Sequence, residues 1–173
     1  MREGVIPFTP LSSGAAMHDR VAEWRQEGQI FVWRYPKRSK YAGEWHFTGD
    51  PAGCRSICNL VDRMAGGEAC HRTLKLVQVT DAISSAPNFG ERKADRFASM
   101  RIVFEPDAGD LAMEEDGDRL ILTVGNSRLC DLRAAFAEVE VGIGDFGIAT
   151  SDDRKEKGWW FWWMPRSAGR YEQ

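Results

Sequence analysis

Apolar positions along this chain switch several times between a period of two and a period near 3.6, and each switch marks a change of element. Residues 29–35, Gln-Ile-Phe-Val-Trp-Arg-Tyr, are rich in β-branched and aromatic side chains and predict a strand. A basic turn over 36–40 returns through a second strand, Gly43 to Thr48. At Gly49-Asp50-Pro51 the period lengthens. Asp50 is a good N-cap, Pro51 suits the first helical position, and Cys54, Ile57, Cys58, Val61 and Ala65 form one stripe that Gly66-Gly67 ends. A strand is expected over 72–80, a long polar loop over 81–95, and then a half-buried strand in which Ala98, Met100, Ile102 and Phe104 face inward. A hairpin follows, with Leu111 and Met113 inward on its first strand, Asp116-Gly117 at the turn, and Leu120, Leu122 and Val124 inward on its second. The next helix carries Leu129, Leu132, Phe136 and Val139 on one face and closes at Gly142 and Gly144. Phe146 to Thr150 is a short strand and 151–157 a charged turn. Residues 1–28 form a lead-in with a short helix, in which Met17, Val21 and Trp24 share a face and Gly28 is the stop.

The last element is the most demanding. Gly158-Trp-Trp-Phe-Trp-Trp-Met164 is the longest apolar run and holds four of the seven tryptophans. As a strand it would send Trp159, Phe161 and Trp163 to one face and Trp160, Trp162 and Met164 to the other. Aromatic side chains each bury on the order of 150–250 Å², so a run apolar on both faces belongs in a central or covered strand.

Two halves emerge, 29–105 and 110–165, each reading strand, strand, helix, strand, strand. A gap-free comparison sets Gly49-Asp50 on Gly125-Asn126, Cys54 on Cys130 and Leu60 on Phe136, although the helical stripes then match only in part. The expected fold is a single α+β domain spanning 1–173, with an internal ββαββ duplication. Its two layers would be one large, mainly antiparallel sheet of about eight strands and two helices packed on one face.

Bulk properties narrow the class. With 173 residues, 43% hydrophobic and 28% charged, the chain can bury one good core. A net charge of −3 supplies no global field toward nucleic acid or an anionic membrane. No signal-peptide pattern opens the chain, and no apolar run approaches a membrane span. A cytoplasmic location, with Cys54, Cys58, Cys70 and Cys130 as thiols, is the expectation.

Several clusters carry side chains capable of chemistry. Cys54, Cys58, Cys70 and His71 carry zinc-preferring atoms, yet C-x3-C on an apolar helical stripe reads as core packing, so no metal is assigned. The hairpin acids from Glu105 to Asp118 lack calcium-loop spacing. The basic turn Lys37 to Lys40 is a weak nucleic-acid footprint and could serve self-association instead. No phosphate-binding glycine loop or nucleophile elbow occurs, and no cofactor is expected. The alternation is more informative. If Trp45 and Phe47 face the helices, Glu44 and His46 project to the other side of the sheet. Arg101, Glu105 and Thr123 would join them there with Trp160 and Trp162. These seven residues are the candidate ligand-binding set.

Two resemblances follow from these elements. The strand-Gly-Asp/Asn-helix turn is similar to one in some bacterial immunity proteins of toxin systems, with no residues to carry over. Shifting the repeat frame by one strand gives β-α-β-β-β twice, which resembles the glyoxalase and vicinal-oxygen-chelate fold; of that family's paired metal ligands only His46 is matched. The leading functional expectation is a non-enzymatic binding module. Its open sheet face and aromatic strand would hold a protein partner, a second copy in a homodimer, or a small apolar ligand. The alternative is a small metal-assisted or acid-base enzyme centred on His46 and Glu44, with Arg101 holding an anionic substrate.

Overall fold

The Gly49-Asp50-Pro51 turn is held from both sides in the computed structural model, which describes residues 20–34, 44–78, 97–153, 155–156 and 158–163. The Asp50 carboxylate accepts from the Gly53 N–H at 2.6 Å and from the Gln29 N–H at 3.0 Å, and Pro51 opens helix α1 (Pro51–Met64). Gly53 leaves no room for a side chain there, because a Cβ would lie 2.4 Å from the Gln29 carbonyl oxygen. Helix α2 (Asn126–Glu140) begins differently. Its cap is Gly125, which makes no side-chain bond, and it tucks under the preceding loop where a Cβ would meet the Ala108 oxygen at 2.0 Å. Asn126 is therefore the first helical residue and not the cap.

Matching cap to cap pairs Cys54 with Leu129, Ile57 with Leu132, Leu60 with Ala135, Val61 with Phe136 and Met64 with Val139. All ten residues are buried. This register is one residue from the one that sets Cys54 on Cys130. The slip accounts for the partial match of the stripes. The helices pack on each other, with Arg133 forked onto Asp62 across the exposed side at 2.6 and 3.0 Å.

Eight strands surround them: β1 (Ile30–Arg34), β2 (Trp45–Gly49), β3 (Cys70–Lys75), β4 (Ser99–Phe104), β5 (Ala112–Asp116), β6 (Arg119–Val124), β7 (Phe146–Ile148) and β8 (Trp159–Phe161). The class is α+β, and four of the six strand pairings are antiparallel. The strands divide between two four-stranded mixed sheets, ordered β1-β2-β8-β7 and β3-β4-β6-β5. In each, the first hairpin of one half lies beside the second pair of the other half, joined by a central parallel pairing, β2 with β8 and β4 with β6. The shifted β-α-β-β-β frame coincides with neither sheet.

The sheet edges approach each other at two places. The Val77 N–H donates to the Ile30 carbonyl at 2.9 Å, and the Leu111 N–H to the Thr150 carbonyl at 2.8 Å. Met100, Ile102, Phe104, Leu120, Leu122 and Val124 from one sheet join Ile30, Val32, Phe47 and Phe161 from the other in a single core with both helices. Gly117, at the β5–β6 turn, has φ +64°, the left-handed conformation that the Asp116-Gly117 pair predicts. Only the end of the N-terminal helix falls among the described residues, with Val21 and Trp24 buried and Gly28 at φ +66°. The basic turn 37–40, the polar loop 81–95, Met164 and the tail lie outside them. Among the described residues, no helix is long and apolar enough to cross a membrane.

Candidate functional site

Strand β8 is central in its sheet, between β2 and β7, and its alternation is as the sequence requires. Trp159 and Phe161 are buried against the core, and Phe161 stacks on Phe47 with centroids 5.0 Å apart and meets Phe136 edge-on at 5.2 Å. Trp160 points to the outer face opposite His46 on β2, which in turn lies opposite Trp33 on β1. On the other flank is Gly147, which lets the Trp160 ring lie over β7 at 3.6 Å from where a Cβ would be.

These residues form a stack. The His46 ring lies 5.6 Å from Trp33 at 18° and 6.0 Å from Trp162 at 29°, and Trp162 lies 6.1 Å from Trp160. Three hydrogen bonds tie Trp162 to β2. Its indole N–H donates to His46 Nδ1 at 3.0 Å, its backbone N–H to the Phe47 carbonyl at 2.9 Å, and its carbonyl accepts from the Thr48 hydroxyl at 2.6 Å. Because Nδ1 is an acceptor, the neutral ring carries its proton on Nε2. Burial lowers the His46 pKa to about 4, since charging an imidazole away from water is unfavourable.

His46 is 0% exposed and Trp33 1%. This face is therefore covered at β1 and β2 and is not an open floor there. A neutral imidazole sealed between two indoles is placed to pack and to fix Trp162. It is not placed to exchange protons with a substrate.

The candidate set is divided by the division of the sheets. Glu44, His46, Trp160 and Trp162 gather on and beside β2 and β8. Glu44 is half-buried, and its Oε2 is buried with no hydrogen bond among the described residues. Arg101, Glu105 and Thr123 belong to the other sheet, because β4 pairs with β6 and not with β2. Arg101 donates from Nε to the Thr73 hydroxyl at 3.4 Å, Thr123 lies opposite Val103, and Glu105 is exposed beyond the end of β4. Arg101 is thus not positioned to hold an anion against His46.

The cysteines behave as core and surface atoms. Cys54 and Cys58 are buried on α1, and burial raises the Cys54 thiol to about 12 and pushes Cys58 and Cys70 up as well. Cys70 and His71 are neighbours on β3 and so leave opposite faces. Among the described residues, no three His, Cys, Asp or Glu side chains come together as a metal site.

One feature of the surface was not read from the sequence. Val141, Ile143 and Trp163 are 65%, 53% and 46% exposed, the large exposed apolar side chains of the described residues. The turn that carries Val141 and Ile143 reaches the aromatic segment at Gly144, where a Cβ would come 2.1 Å from the Trp163 nitrogen. The signal available was a turn with bulky apolar residues set between glycines, Val141-Gly-Ile-Gly144. No family model matches the chain, and neither do the curated proteins or the solved structures with which it was compared.

Proposed function

We propose that the protein is a non-enzymatic binding module whose contact surface is the aromatic end of β8. There it holds a protein partner, a second copy included, or a small apolar ligand. The observation that carries this is the exposure of Trp163 next in the chain to the half-buried Trp162 and near Trp160, with the exposed Ile143 and Val141 on the turn that packs against Trp163 at Gly144. Exposed aromatic anchors ringed by partly buried neighbours are the usual makings of a contact site. The sealed, neutral His46 argues in the same direction, since it supports Trp162 and presents no base. A cytoplasmic setting belongs to the same proposal. So does an ancestry by ββαββ duplication, for which the matching strand orders of the two sheets and the cap-to-cap helix register speak.

The test uses surface variants that leave the core alone. Sedimentation velocity over a range of concentrations, and titration with the apolar dye anilinonaphthalene sulfonate, are run on the wild type, Trp163→Asp and Ile143→Asp. Self-association or dye binding by the wild type that both variants lose, at unchanged Tm, is the expected result. A wild type that stays monomeric and binds no more dye than the variants sinks the reading.

A further inference from the structure

The two helices present matching grooves to the strands that follow them, and only one is filled by the described chain. Between α1 and β3 lies the segment Arg20 to Glu27. The Trp24 indole N–H donates to the Ser56 carbonyl at 2.9 Å, the Glu27 N–H to the Ser56 hydroxyl at 3.0 Å, and Arg63 to the Arg20 carbonyl at 2.6 Å. On the strand side Arg72 donates to the Val21 carbonyl at 2.6 Å. The Gln26 amide caps the β3 edge in both senses, accepting from the Lys75 N–H at 2.7 Å and donating to the Lys75 carbonyl at 3.0 Å. Val21 and Trp24, three residues apart, are the apolar anchors, 4% and 5% exposed.

Matched cap to cap, Ser56, Asn59, Leu60 and Arg63 correspond to Asp131, Ala134, Ala135 and Glu138. Those four line a groove of about 310 Å³ between α2 and β7, closed on the strand side by Phe146 and Ile148. The substitutions change what the groove accepts. Two alanines replace asparagine and leucine and widen the floor. Two carboxylates replace a hydroxyl that accepts from the Glu27 N–H and a guanidinium that donates to the Arg20 carbonyl, so the rim loses its cation and becomes acidic. Asp131 is shared with Arg128 at 3.6 Å and is itself half exposed, which leaves it able to take a second cation.

We infer that the α2/β7 groove is a docking site for a basic, amphipathic segment of another protein, presented as a short helical turn with two apolar anchors three residues apart and Lys or Arg beside them. The filled groove supplies the template for the anchors, and the acidic rim supplies the charge. This surface lies on the core side of β7, whereas Trp160 lies over the outer side; the 141–143 turn adjoins it at Glu138, and the Trp163→Asp variant distinguishes it from the aromatic contact proposed above.

The experiment titrates the full-length, isotope-labelled chain with a synthetic peptide of residues 19–28, and with the same peptide carrying Glu23→Lys and Glu27→Lys, followed by amide and methyl chemical shifts. Shifts confined to Asp131, Ala134, Glu138, Phe146 and Ile148 are expected, with the lysine peptide binding at least about threefold tighter and more sensitively to salt. Ala134→Trp, a change at an exposed position, should weaken both peptides by about tenfold or more, while Trp163→Asp leaves them unchanged. No shifts up to millimolar peptide, shifts at α1 and β3 instead, or binding indifferent to Ala134→Trp would each overturn the inference. A dimer of the chain itself that Ala134→Trp abolishes would overturn the assignment to a separate partner.

Discussion

Acid should destabilise this protein through His46, by an amount that the burial of the ring sets. The imidazole has a pKa of about 4 when folded and 6.5 as an ordinary histidine. Between those values the unfolded chain binds a proton that the folded chain refuses, so stability rises with pH across that window and falls as pH is lowered through it. At 1.36 kcal/mol per pH unit, the loss is about 2 kcal/mol at pH 5 and about 3 kcal/mol near pH 4. Below that both states carry the proton and this contribution levels off. Domains are typically stable by about 5–15 kcal/mol, so the loss is a substantial share. The comparison variant is His46→Asn, whose side-chain oxygen can still accept the Trp162 indole N–H while nothing at the position titrates. Urea unfolding of both proteins at neutral pH and near pH 5 gives four free energies. The difference of the two pH effects isolates His46, because carboxylates and the remaining histidines titrate in both proteins. The wild type should lose about 2 kcal/mol more than the variant. Equal acid sensitivity in the two would refute the sealed imidazole and reopen His46 as a group in contact with solvent.

Other perturbations separate the faces and junctions. Phe161→Ala removes a ring stacked on Phe47 and edge-on to Phe136 and should cost about 3–5 kcal/mol in urea unfolding, whereas Trp163→Ala should change stability by less than about 0.5 kcal/mol. Gly53→Ala reverses the ordinary helical gain of about 1 kcal/mol, because the added Cβ would lie 2.4 Å from the Gln29 oxygen; a lower urea midpoint is expected. Asp50→Ala loses two N–H partners and should cost about 1–2 kcal/mol, read the same way. In native thiol labelling, the exposed Cys130 should react before the buried Cys54 and Cys58, which respond only once the protein is unfolded.

Alternation and capping made most elements legible. Met100, Ile102 and Phe104 face the core as their spacing with Ser99, Arg101 and Val103 requires, and so do Leu120, Leu122 and Val124. Asp50-Pro51 starts α1 because its chemistry suits no other place so well. Alternation tells which residues share a face of one strand, but it is silent on which strand comes next. The seven candidate residues share a face only if all the strands belong to one sheet. Parallel pairing of β2 with β8 and β4 with β6 sends His46 and Arg101 to different sheets, and that choice depends on how the halves interlock.

Trp163 shows the same limit at the scale of one residue. Two-residue periodicity sends it inward with Trp159 and Phe161, and it would be buried if the strand continued. β8 stops at Phe161. Beyond it, Trp162 is bound to β2 through its backbone N–H, its carbonyl and its ring, and Gly144 presses against the next backbone nitrogen at a distance only glycine permits. The chain there obeys those contacts and not the pleat, and the indole turns out into water. A side chain placed by contacts 19 residues away in sequence leaves no periodic trace, so the most exposed of the tryptophans is also the one that pattern alone does not locate.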